Sequence, residues 1–169
     1  MNKVIIFLTT LLIALSSCDD YMSINSTLKK IINMGEKKYG LIYLGGGVAA
    51  PTKIQYFIAS FKKQSNCDPN IERKLLVDFT EDYIQLIKND EKLIANFESL
   101  PINEKHVFLQ IIFKDKNNLY CNELAGIELV FGNVIFLKLN ARGALEEYCS
   151  ESYSEAYFKV YGTEPPERK

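Results

Sequence analysis

A helical pattern in the middle of the chain constrains the fold more than any other feature. Asp68 can accept hydrogen bonds from the first turn of a helix, and Pro69 suits the first helical position. Apolar side chains then recur at steps of three and four residues: Ile71, Leu75, Phe79, Tyr83, Leu86 and Ile87. The spacing predicts a long amphipathic helix that weakens near Asn89, and Pro101 stops any continuation. Such a helix must bury its apolar stripe against a second layer.

Alternating patterns on both sides of this helix predict that second layer. Before the helix, the sequence predicts strands at Tyr39–Leu44 and Lys53–Phe61, paired as a hairpin. Lys53–Phe61 carries apolar groups on both faces, which is typical of a central strand. After the helix, three segments predict an antiparallel meander: His106–Lys114, Leu119–Val130 and Asn133–Leu139.

The last part of the chain combines an ambiguous segment with a capped helix. Ser152 and Glu155 have the spacing of a capping box, which predicts a helix over Tyr153–Tyr161 that ends at Gly162. Ala144–Ser150 fits either a helix or a strand.

The order of these elements predicts the fold class. Strand, strand, helix, three strands and helix form an α+β fold, in which both helices cover one face of an antiparallel sheet. One domain over residues 39–162 accommodates this order, and residues 163–169 are predicted to be a flexible tail.

An apolar run at the N-terminus stands apart from this domain. Lys3 precedes twelve uncharged, mostly apolar residues from Val4 to Leu15. A helix of this length reaches roughly 18 Å, well short of the ~30 Å hydrocarbon layer of a membrane. Residues 1–17 are therefore predicted to be an export signal and not a stable membrane span.

The residues that end this run resemble the lipobox of bacterial lipoproteins. In Leu15-Ser16-Ser17-Cys18, a branched apolar residue and two small residues precede a cysteine. The resemblance implies cleavage between Ser17 and Cys18, transfer of a diacylglycerol to the Cys18 thiol and acylation of the new amine. Two or three acyl chains hold a protein at a membrane far more firmly than one. An ordinary secretory signal, with a cysteine there by chance, is the alternative.

The residues after the lipobox bear on location and on the link to the domain. Asp19 and Asp20 follow the cysteine, and in enteric lipoproteins an aspartate there resembles an inner-membrane retention signal. The inner membrane facing the periplasm is therefore favoured, with the outer membrane as the alternative. Residues 18–38 are polar apart from one helically spaced stripe that Gly35 can close. They are predicted to be a lipidated tether with one short helix.

Several stretches of the remaining chain resemble an uncharacterised family of small lipoproteins from chlamydia-like and other intracellular bacteria. They are Tyr39-Gly40 through Gly45-Gly46-Gly47, Lys53-Ile54 with Phe61, Leu75-Leu76-Val77, Asn89, Leu100-Pro101 and Glu151-Ser152-Tyr153-Ser154-Glu155-Ala156. The resemblance spans most of residues 39–161. It implies one domain and favours an extended Ala144–Ser150, and no catalytic role carries over from it.

The charge balance excludes one class of partner. Removing residues 1–17 removes one lysine, so 20 basic residues become 19 against 21 acidic ones, and the mature net charge is −2. A nucleic-acid-binding domain needs a basic surface. We therefore expect the partners to be the membrane, through the lipid anchor, and another envelope component, but not nucleic acid.

Three cysteines remain after Cys18, in a compartment where disulfides persist. Cys67, Cys121 and Cys149 can form one bond and leave one thiol. Cys121–Cys149 is the favoured pair, because both lie in the C-terminal half while Cys67 precedes the main helix. The cysteines are far apart in sequence and the chain has a single histidine, so neither a metal site nor a cofactor is predicted.

Four side chains are the candidates for catalysis. His106 is the only histidine, and any serine or cysteine nucleophile would need it as a base. Asp78, Glu81 and Asp82 form an acidic stretch on the long helix. The helical spacing places them on its polar side, where a solvated face is the simpler interpretation, and no residue is assigned a catalytic role.

The triple glycine at Gly45, Gly46 and Gly47 is the most suggestive candidate for binding. Consecutive glycines let backbone N–H groups approach an anion. This stretch lacks the Gly-Lys-Ser/Thr of a P-loop and precedes a strand. It is therefore interpreted as a flexible hairpin turn that can serve as a binding loop.

These observations lead to three functional hypotheses. The first is a membrane-anchored envelope lipoprotein that acts as a non-enzymatic binding module. The second is an envelope hydrolase that uses His106 or the helix carboxylates, which a pocket that places His106 beside carboxylates or hydroxyls would favour. The third is a structural component of an envelope or secretion assembly, which a large exposed apolar patch would favour.

Overall fold

A computed structural model describes residues 18–50, 52–65, 67–121 and 123–167. The predicted export signal at residues 1–17, with Ser17 at its cleavage site, lies outside the described residues. Cys18 is the first described residue, and its backbone begins the first helix.

Among these residues the chain forms four α-helices, six strands and a 3-10 turn at Glu104–His106. The helices are α1 Cys18–Tyr39, α2 Pro69–Lys88, α3 Glu91–Ile94 and α4 Tyr153–Tyr161. The strands are β1 Ile42–Ala49, β2 Tyr56–Gln64, β3 Val107–Lys114, β4 Gly126–Val130, β5 Asn133–Leu139 and β6 Leu145–Ser152.

The six strands form one sheet in chain order, and the predicted α+β class is confirmed. Every neighbouring pair is antiparallel except β2 and β3, which run parallel. The reason is α2, which carries the chain back along the sheet so that β3 starts at the same end as β2. The antiparallel sheet expected from the sequence thus contains one parallel pair, formed by its second and third strands.

The helices pack on one face of the sheet, as expected. In β2, Phe57, Ala59 and Phe61 are fully buried, and they alternate with partly exposed residues. Phe61 and Phe57 contact the rings of Phe79 and Tyr83 on α2. The core therefore lies between this face and the helices.

Helix α2 begins as predicted but differs in its first turn. The side chain of Asp68 accepts hydrogen bonds from the backbone N–H groups of Asn70 and Ile71. Ile71, which the stripe places in the core, is 59% exposed, whereas Glu72 is 1% exposed. In this turn the carboxylate side chain faces the interior and the isoleucine faces solvent, opposite to what the apolar stripe predicts.

The segment expected to be a polar tether is instead a helix of 22 residues. Ile24, Thr27 and Ile31 of α1 are buried against the domain, at helical spacing. Gly35, expected to close a short helix, lies inside α1. A Cβ atom at Gly35 would come within 2.7 Å of the Phe61 ring, so glycine permits this close packing.

The triple glycine is part of strand β1, so its interpretation as a turn is wrong. A bulge separates Tyr43 from Gly45, and a Cβ atom at Gly46 would lie 2.3 Å from the carbonyl oxygen of Ile58. Glycine inside a strand marks such a close backbone approach. The connection between β1 and β2 comes later, at residues 50–55.

The structure resolves the ambiguous segment Ala144–Ser150 and shortens one predicted strand. Ala144–Ser150 is extended, as the family resemblance favours, and residues from Leu145 onward belong to β6 at one edge of the sheet. Only Gly126–Val130 of the predicted strand Leu119–Val130 belongs to β4. Helix α4 is confirmed, with a capping box between Ser152 and Glu155 and a left-handed Gly162 at its end.

The disulfide joins Cys67 to Cys121, so the predicted pair Cys121–Cys149 is wrong. The parallel β2–α2–β3 arrangement places the segment before α2 beside the segment after β3. Cys149 lies on the edge strand β6 and is exposed and unpaired among the cysteines whose side chains are described. Proximity in sequence misled the prediction because the crossover brings together residues 54 positions apart.

Candidate functional site

Two concavities lie at opposite ends of the parallel pair β2 and β3. The larger, here called the disulfide cleft, has a volume of about 950 Å³ and includes Cys67 and Cys121 in its wall. The smaller, here called the His106 pocket, has a volume of about 330 Å³. Both volumes fall in the range of natural ligand sites, about 300–1,000 Å³.

Three parts of the chain converge on the disulfide cleft. Lys63 and Gln64 end strand β2, Asp68 and Glu72 belong to the start of α2, and residues 115–123 follow β3. All three meet because parallel strands end on the same side and α2 starts there. In sheets with parallel strands, ligands bind beyond these carboxyl ends.

Glu72 supplies a buried negative charge to the wall of this cleft. The hydroxyl of Ser65 donates a short hydrogen bond to Oε1, and Nζ of Lys63 lies 3.5 Å from Oε2. The positive end of α2 also favours a carboxylate in its first turn. A buried charge without partners is costly, and Glu72 has a hydroxyl and an ammonium group as partners.

Ser65 shapes the turn between β2 and α2. Its hydroxyl oxygen accepts a hydrogen bond from the backbone N–H of Cys67 at 2.9 Å while it donates to Glu72. Because both capacities of the hydroxyl are used locally, Ser65 acts in positioning Glu72 and the disulfide.

The opposite wall of the cleft is a turn held by Asp115. Its Oδ1 atom accepts hydrogen bonds from the backbone N–H groups of Asn117 and Leu119, at 2.8 and 2.9 Å. Nearby, Nζ of Lys114 lies 3.0 Å from the centre of the Tyr120 ring. Partial burial, with the neighbouring charge of Lys62, lowers the pKa of Lys114 below its ordinary value.

One large apolar side chain in the lining of the cleft is exposed. Ile71 is 59% exposed there, beside the charged side chains of Asp68 and Glu72. An apolar side chain next to charged groups offers a partner both surface to bury and groups to hydrogen-bond, as protein interfaces do.

The His106 pocket contains the hydroxyl and the imidazole that a hydrolase would need. Nε2 of His106 lies 3.0 Å from Oγ of Ser99. The backbone N–H of Asn103 donates to Nδ1 of His106 at 3.1 Å and completes a capping box of the 3-10 turn. His106 itself is only 7% exposed.

The hydrogen bonds of His106 are compatible with both neutral tautomers. In a neutral imidazole one nitrogen accepts and the other donates. Nδ1 lies 3.1 Å both from the backbone N–H of Asn103, from which it can accept, and from Oδ1 of Asn103, to which it can donate. Burial lowers the pKa of His106, although hydrogen bonds with Asn103 and Ser99 oppose this. A general base for Ser99 needs a lone pair at Nε2, which only the tautomer protonated at Nδ1 provides.

The carboxylates of α2 are not the solvated face that the sequence suggested. Tyr161 donates to Asp78 through a short hydrogen bond, and Tyr153 donates to Glu81 at 2.7 Å. Asp82 accepts from Tyr39 at 2.6 Å and from Lys38 through a shorter bond. Burial and the hydrogen bond to Asp82 raise the pKa of Tyr39. These carboxylates connect α2 to α4 and α1.

The other residues singled out in the sequence do not meet in one site. Gly45, Gly46 and Gly47 lie on the edge strand β1, outside the described linings of both concavities. Cys121 lines the disulfide cleft, and Cys149 lies on β6 at the opposite edge of the sheet.

Glu72 and Lys63 were missed by sequence reasoning, although Glu72 left a signal. It stands three and four positions before the buried Leu75 and Leu76, at a place where the helical stripe calls for an apolar residue. A charged residue at such a position indicates a buried charge, and thus a site that provides its partners. Lys63 meets Glu72 only because the chain turns back from β2 into α2, and no pattern in the neighbouring sequence indicates this contact.

The described residues form neither a cluster suited to a metal ion nor a helix suited to span a membrane. No group of three or more histidine, cysteine, aspartate or glutamate side chains is arranged to hold a metal ion there. No helix in this part of the chain is both long and apolar enough to span a membrane.

Comparisons with protein-family models, curated proteins and solved structures give no match to this chain. The family resemblance noted in the sequence therefore stays a prediction.

Proposed function

We propose that this protein is a lipid-anchored envelope lipoprotein that binds another envelope component through the disulfide cleft and does not act as an enzyme. Leu15-Ser16-Ser17-Cys18 supports the anchor, and Asp19 with Asp20 favours the inner membrane facing the periplasm over the outer membrane. The anchor brings the domain to the envelope, and the cleft provides the contact surface.

The observation that carries this proposal is the buried carboxylate of Glu72 in a cleft of about 950 Å³. Burying a charge beside a cavity has a desolvation cost that packing alone does not require. The charge is held by Lys63 of strand β2 and by Ser65 in the turn that follows it, so its position is defined before any partner arrives. A preorganised group of this kind favours specific binding.

The chemistry of the cleft favours a peptide segment of another envelope protein as the partner. The exposed side chain of Ile71 can pack against an apolar side chain of that segment. Lys63 retains 22% side-chain exposure and can donate to a backbone carbonyl or a carboxylate of that segment. The disulfide beside them keeps the two walls at a defined separation.

The anchor is tested in cells. Globomycin should cause the unprocessed precursor to accumulate, and Cys18→Ala should abolish labelling by a palmitate analogue. Unchanged labelling of the Cys18→Ala protein would show that the lipid is not on Cys18.

The cleft is tested by photo-crosslinking in the native envelope. A photoreactive amino acid at Ile71, which is 59% exposed, is compared with one at Ile42, an isoleucine that is 54% exposed on β1. We expect a discrete protein adduct from position 71 and none from position 42, with the yield reduced by Lys63→Ala. Equal yields at both positions, or no adduct from position 71, would contradict a cleft-mediated role.

A hydrolase is the second candidate, because Ser99 and His106 lie 3.0 Å apart in one pocket. It requires the tautomer protonated at Nδ1, which donates to Oδ1 of Asn103 and leaves Nε2 free to accept from Ser99. We expect no turnover of ester, peptide or glycan substrates by the protein lacking residues 1–18. Turnover that Ser99→Ala and His106→Ala both abolish would establish the hydrolase instead.

A further inference from the structure

We propose that the end of the domain with the His106 pocket rests on the membrane, and that Leu100 and Phe131 enter the interfacial layer of the bilayer. This inference rests on the proposed lipid anchor at Cys18 and adds an orientation, with the disulfide cleft facing away from the membrane. It follows from how α1 is attached to the domain and from where the exposed apolar side chains lie.

Helix α1 is fixed to the domain close to its start. The hydroxyls of Ser23 and Thr27 donate to Oδ2 of Asp90 at 2.7 and 3.1 Å. Ile24, between them, is 6% exposed. Ser23 lies five positions after Cys18 in the helix, which corresponds to a rise of about 8 Å. Acyl chains on Cys18 would therefore hold this end of the domain within roughly that distance of the bilayer.

The same end carries Leu100 and Phe131. Asp90 follows the last residues of α2, and the chain then passes through α3 to Phe97, which pairs with Ile54 just before β2. Leu100 comes three residues later in the same connection to β3. Phe131 forms the turn between β4 and β5, and its ring contacts that of Tyr56 at the start of β2.

The opposite end carries the disulfide cleft. Strands β2 and β3 both end there, at Gln64 and Lys114, and α2 starts there. Helix α1 runs antiparallel to α2, since Ser23 meets Asp90 while Tyr39 meets Asp82. The N-terminus of α1 and the cleft are thus separated by the length of α2, about 30 Å for 20 residues.

The exposed side chains at the anchor end suit a bilayer interface. Leu100 is 62% exposed and Phe131 is 58% exposed, and both lie at the mouth of the His106 pocket with Pro101. Met22 on the adjoining turn of α1 is 65% exposed. Leucine and phenylalanine are side chains that peripheral proteins insert at the boundary between headgroups and acyl chains.

The short link favours a membrane over a protein as the occupant of this surface. A protein partner would have to fit between the domain and a bilayer to which the domain is held through about 8 Å of helix. The bilayer is already there once Cys18 is acylated, and it needs no recognition beyond apolar contact.

Tryptophan fluorescence tests this orientation, because the natural sequence contains no tryptophan. The full-length lipoprotein, purified with its acyl chains, is reconstituted in phosphatidylcholine vesicles with and without brominated acyl chains. Leu100→Trp and Phe131→Trp each place one fluorophore at the anchor end, and Leu119→Trp, at a position with 64% exposure, is the matched control at the cleft end. We expect emission from positions 100 and 131 to be blue-shifted and quenched at least about twofold more than emission from position 119.

Two results would overturn the inference, and they differ in what else they affect. Equal quenching at all three positions, in protein whose acylation is confirmed by mass spectrometry, would reject the orientation and leave the anchor intact. Absence of acyl groups on Cys18 would reject the anchor and the orientation together. A protein adduct from a photoreactive group at position 100 in native membranes would assign this surface to a protein partner and would also overturn the inference.

Discussion

The two ends of the parallel pair β2 and β3 differ in which side chains they bury and which they expose. At the cleft end, the charged Glu72 is buried and the apolar Ile71 is exposed, in consecutive positions of one helix turn. At the anchor end, His106 and Asp90 are engaged in local capping bonds, and the exposed Leu100 and Phe131 line the pocket beside the exposed Glu98 and Lys105. The cleft end keeps a buried charge that a partner can reach, while the anchor end exposes two large apolar side chains.

A covalent bond stabilises one end of the parallel pair, and hydrogen-bonded caps stabilise the other. The Cys67–Cys121 disulfide joins two irregular segments, one before α2 and one after β3. Short capped turns hold the other end without a disulfide.

Removal of the disulfide should affect stability most. Cys67→Ser is expected to lower the free energy of unfolding by about 3–4 kcal/mol, because the bond closes a loop of 54 residues. Urea denaturation measures this, and Cys149→Ser is the matched control, expected to change stability by less than about 0.5 kcal/mol. Equal losses in the two variants would mean that Cys149 takes part in the bond.

Substitution of the buried Glu72 should give the second largest loss of stability. Glu72→Ala leaves Ser65 and Lys63 without their partner and is expected to cost about 2 kcal/mol. Glu123→Ala, at an exposed position in the same cleft, should cost less than about 0.5 kcal/mol. If the two variants unfold at the same urea concentration, Glu72 is not the buried group described above.

Substitution of His106 should lower the free energy of unfolding by less, and by an amount that depends on pH. His106→Ala removes one bond of the capping box and is expected to cost about 1.5 kcal/mol at pH 7. Burial lowers the pKa of His106 in the folded protein, so the unfolded chain binds the proton more readily. Stability should therefore fall as the pH falls below about 6.5.

The pH effect is separated from other titrations by a matched variant. His106→Gln keeps a polar side chain and removes the titrating group, so the decline in melting temperature between pH 7 and pH 5 should shrink. An identical decline in both proteins would assign it to other groups.

The link between α1 and α3 should give the smallest effect. Asp90→Asn weakens the bonds from Ser23 and Thr27 and is expected to cost about 1 kcal/mol. Partial burial raises the pKa of Asp90, but hydrogen bonds from Ser23, Leu93 and Thr27 outweigh this effect and hold the pKa below its usual value. The folded protein therefore favours the carboxylate, and this contribution should be lost as the pH falls below about 4.

Hydrogen exchange of the first turns of α1 measures this contribution. Faster exchange at residues 23–27 of the Asp90→Asn protein, with unchanged exchange in α4, is the expected pattern. Uniform acceleration throughout the chain would show that Asp90 stabilises the whole domain and not this junction.

Local signals were enough to predict some elements. Helix α2 has its cap at Asp68 and α4 has its capping box at Ser152, and both interactions involve residues within one helical turn. The stripe from Leu75 to Ile87 predicted the buried face of α2 correctly, because helical periodicity depends on the helix itself and not on its neighbours.

Other features failed because they depend on distant residues. The glycines at 45–47 are typical of a turn when only their neighbours are considered, yet Gly46 lies against the carbonyl of Ile58 across a strand pair. The buried face of α1 includes Ile24 and Thr27, and it forms only where the rest of the domain receives it. Neither concavity was predicted from the sequence, because the residues that line each of them come from separate segments of the chain.

Local patterns were sufficient to predict the fold class, the apolar stripe of α2 and the residues that resemble an export signal and a lipidation site. The disulfide partner of Cys121 and the burial of Glu72 became visible only in the folded chain. The parallel crossover explains the disulfide, because it brings together segments that are distant in the chain. Periodicity and capping depend on residues within about one helical turn, whereas cysteine pairing and charge burial depend on contacts beyond it.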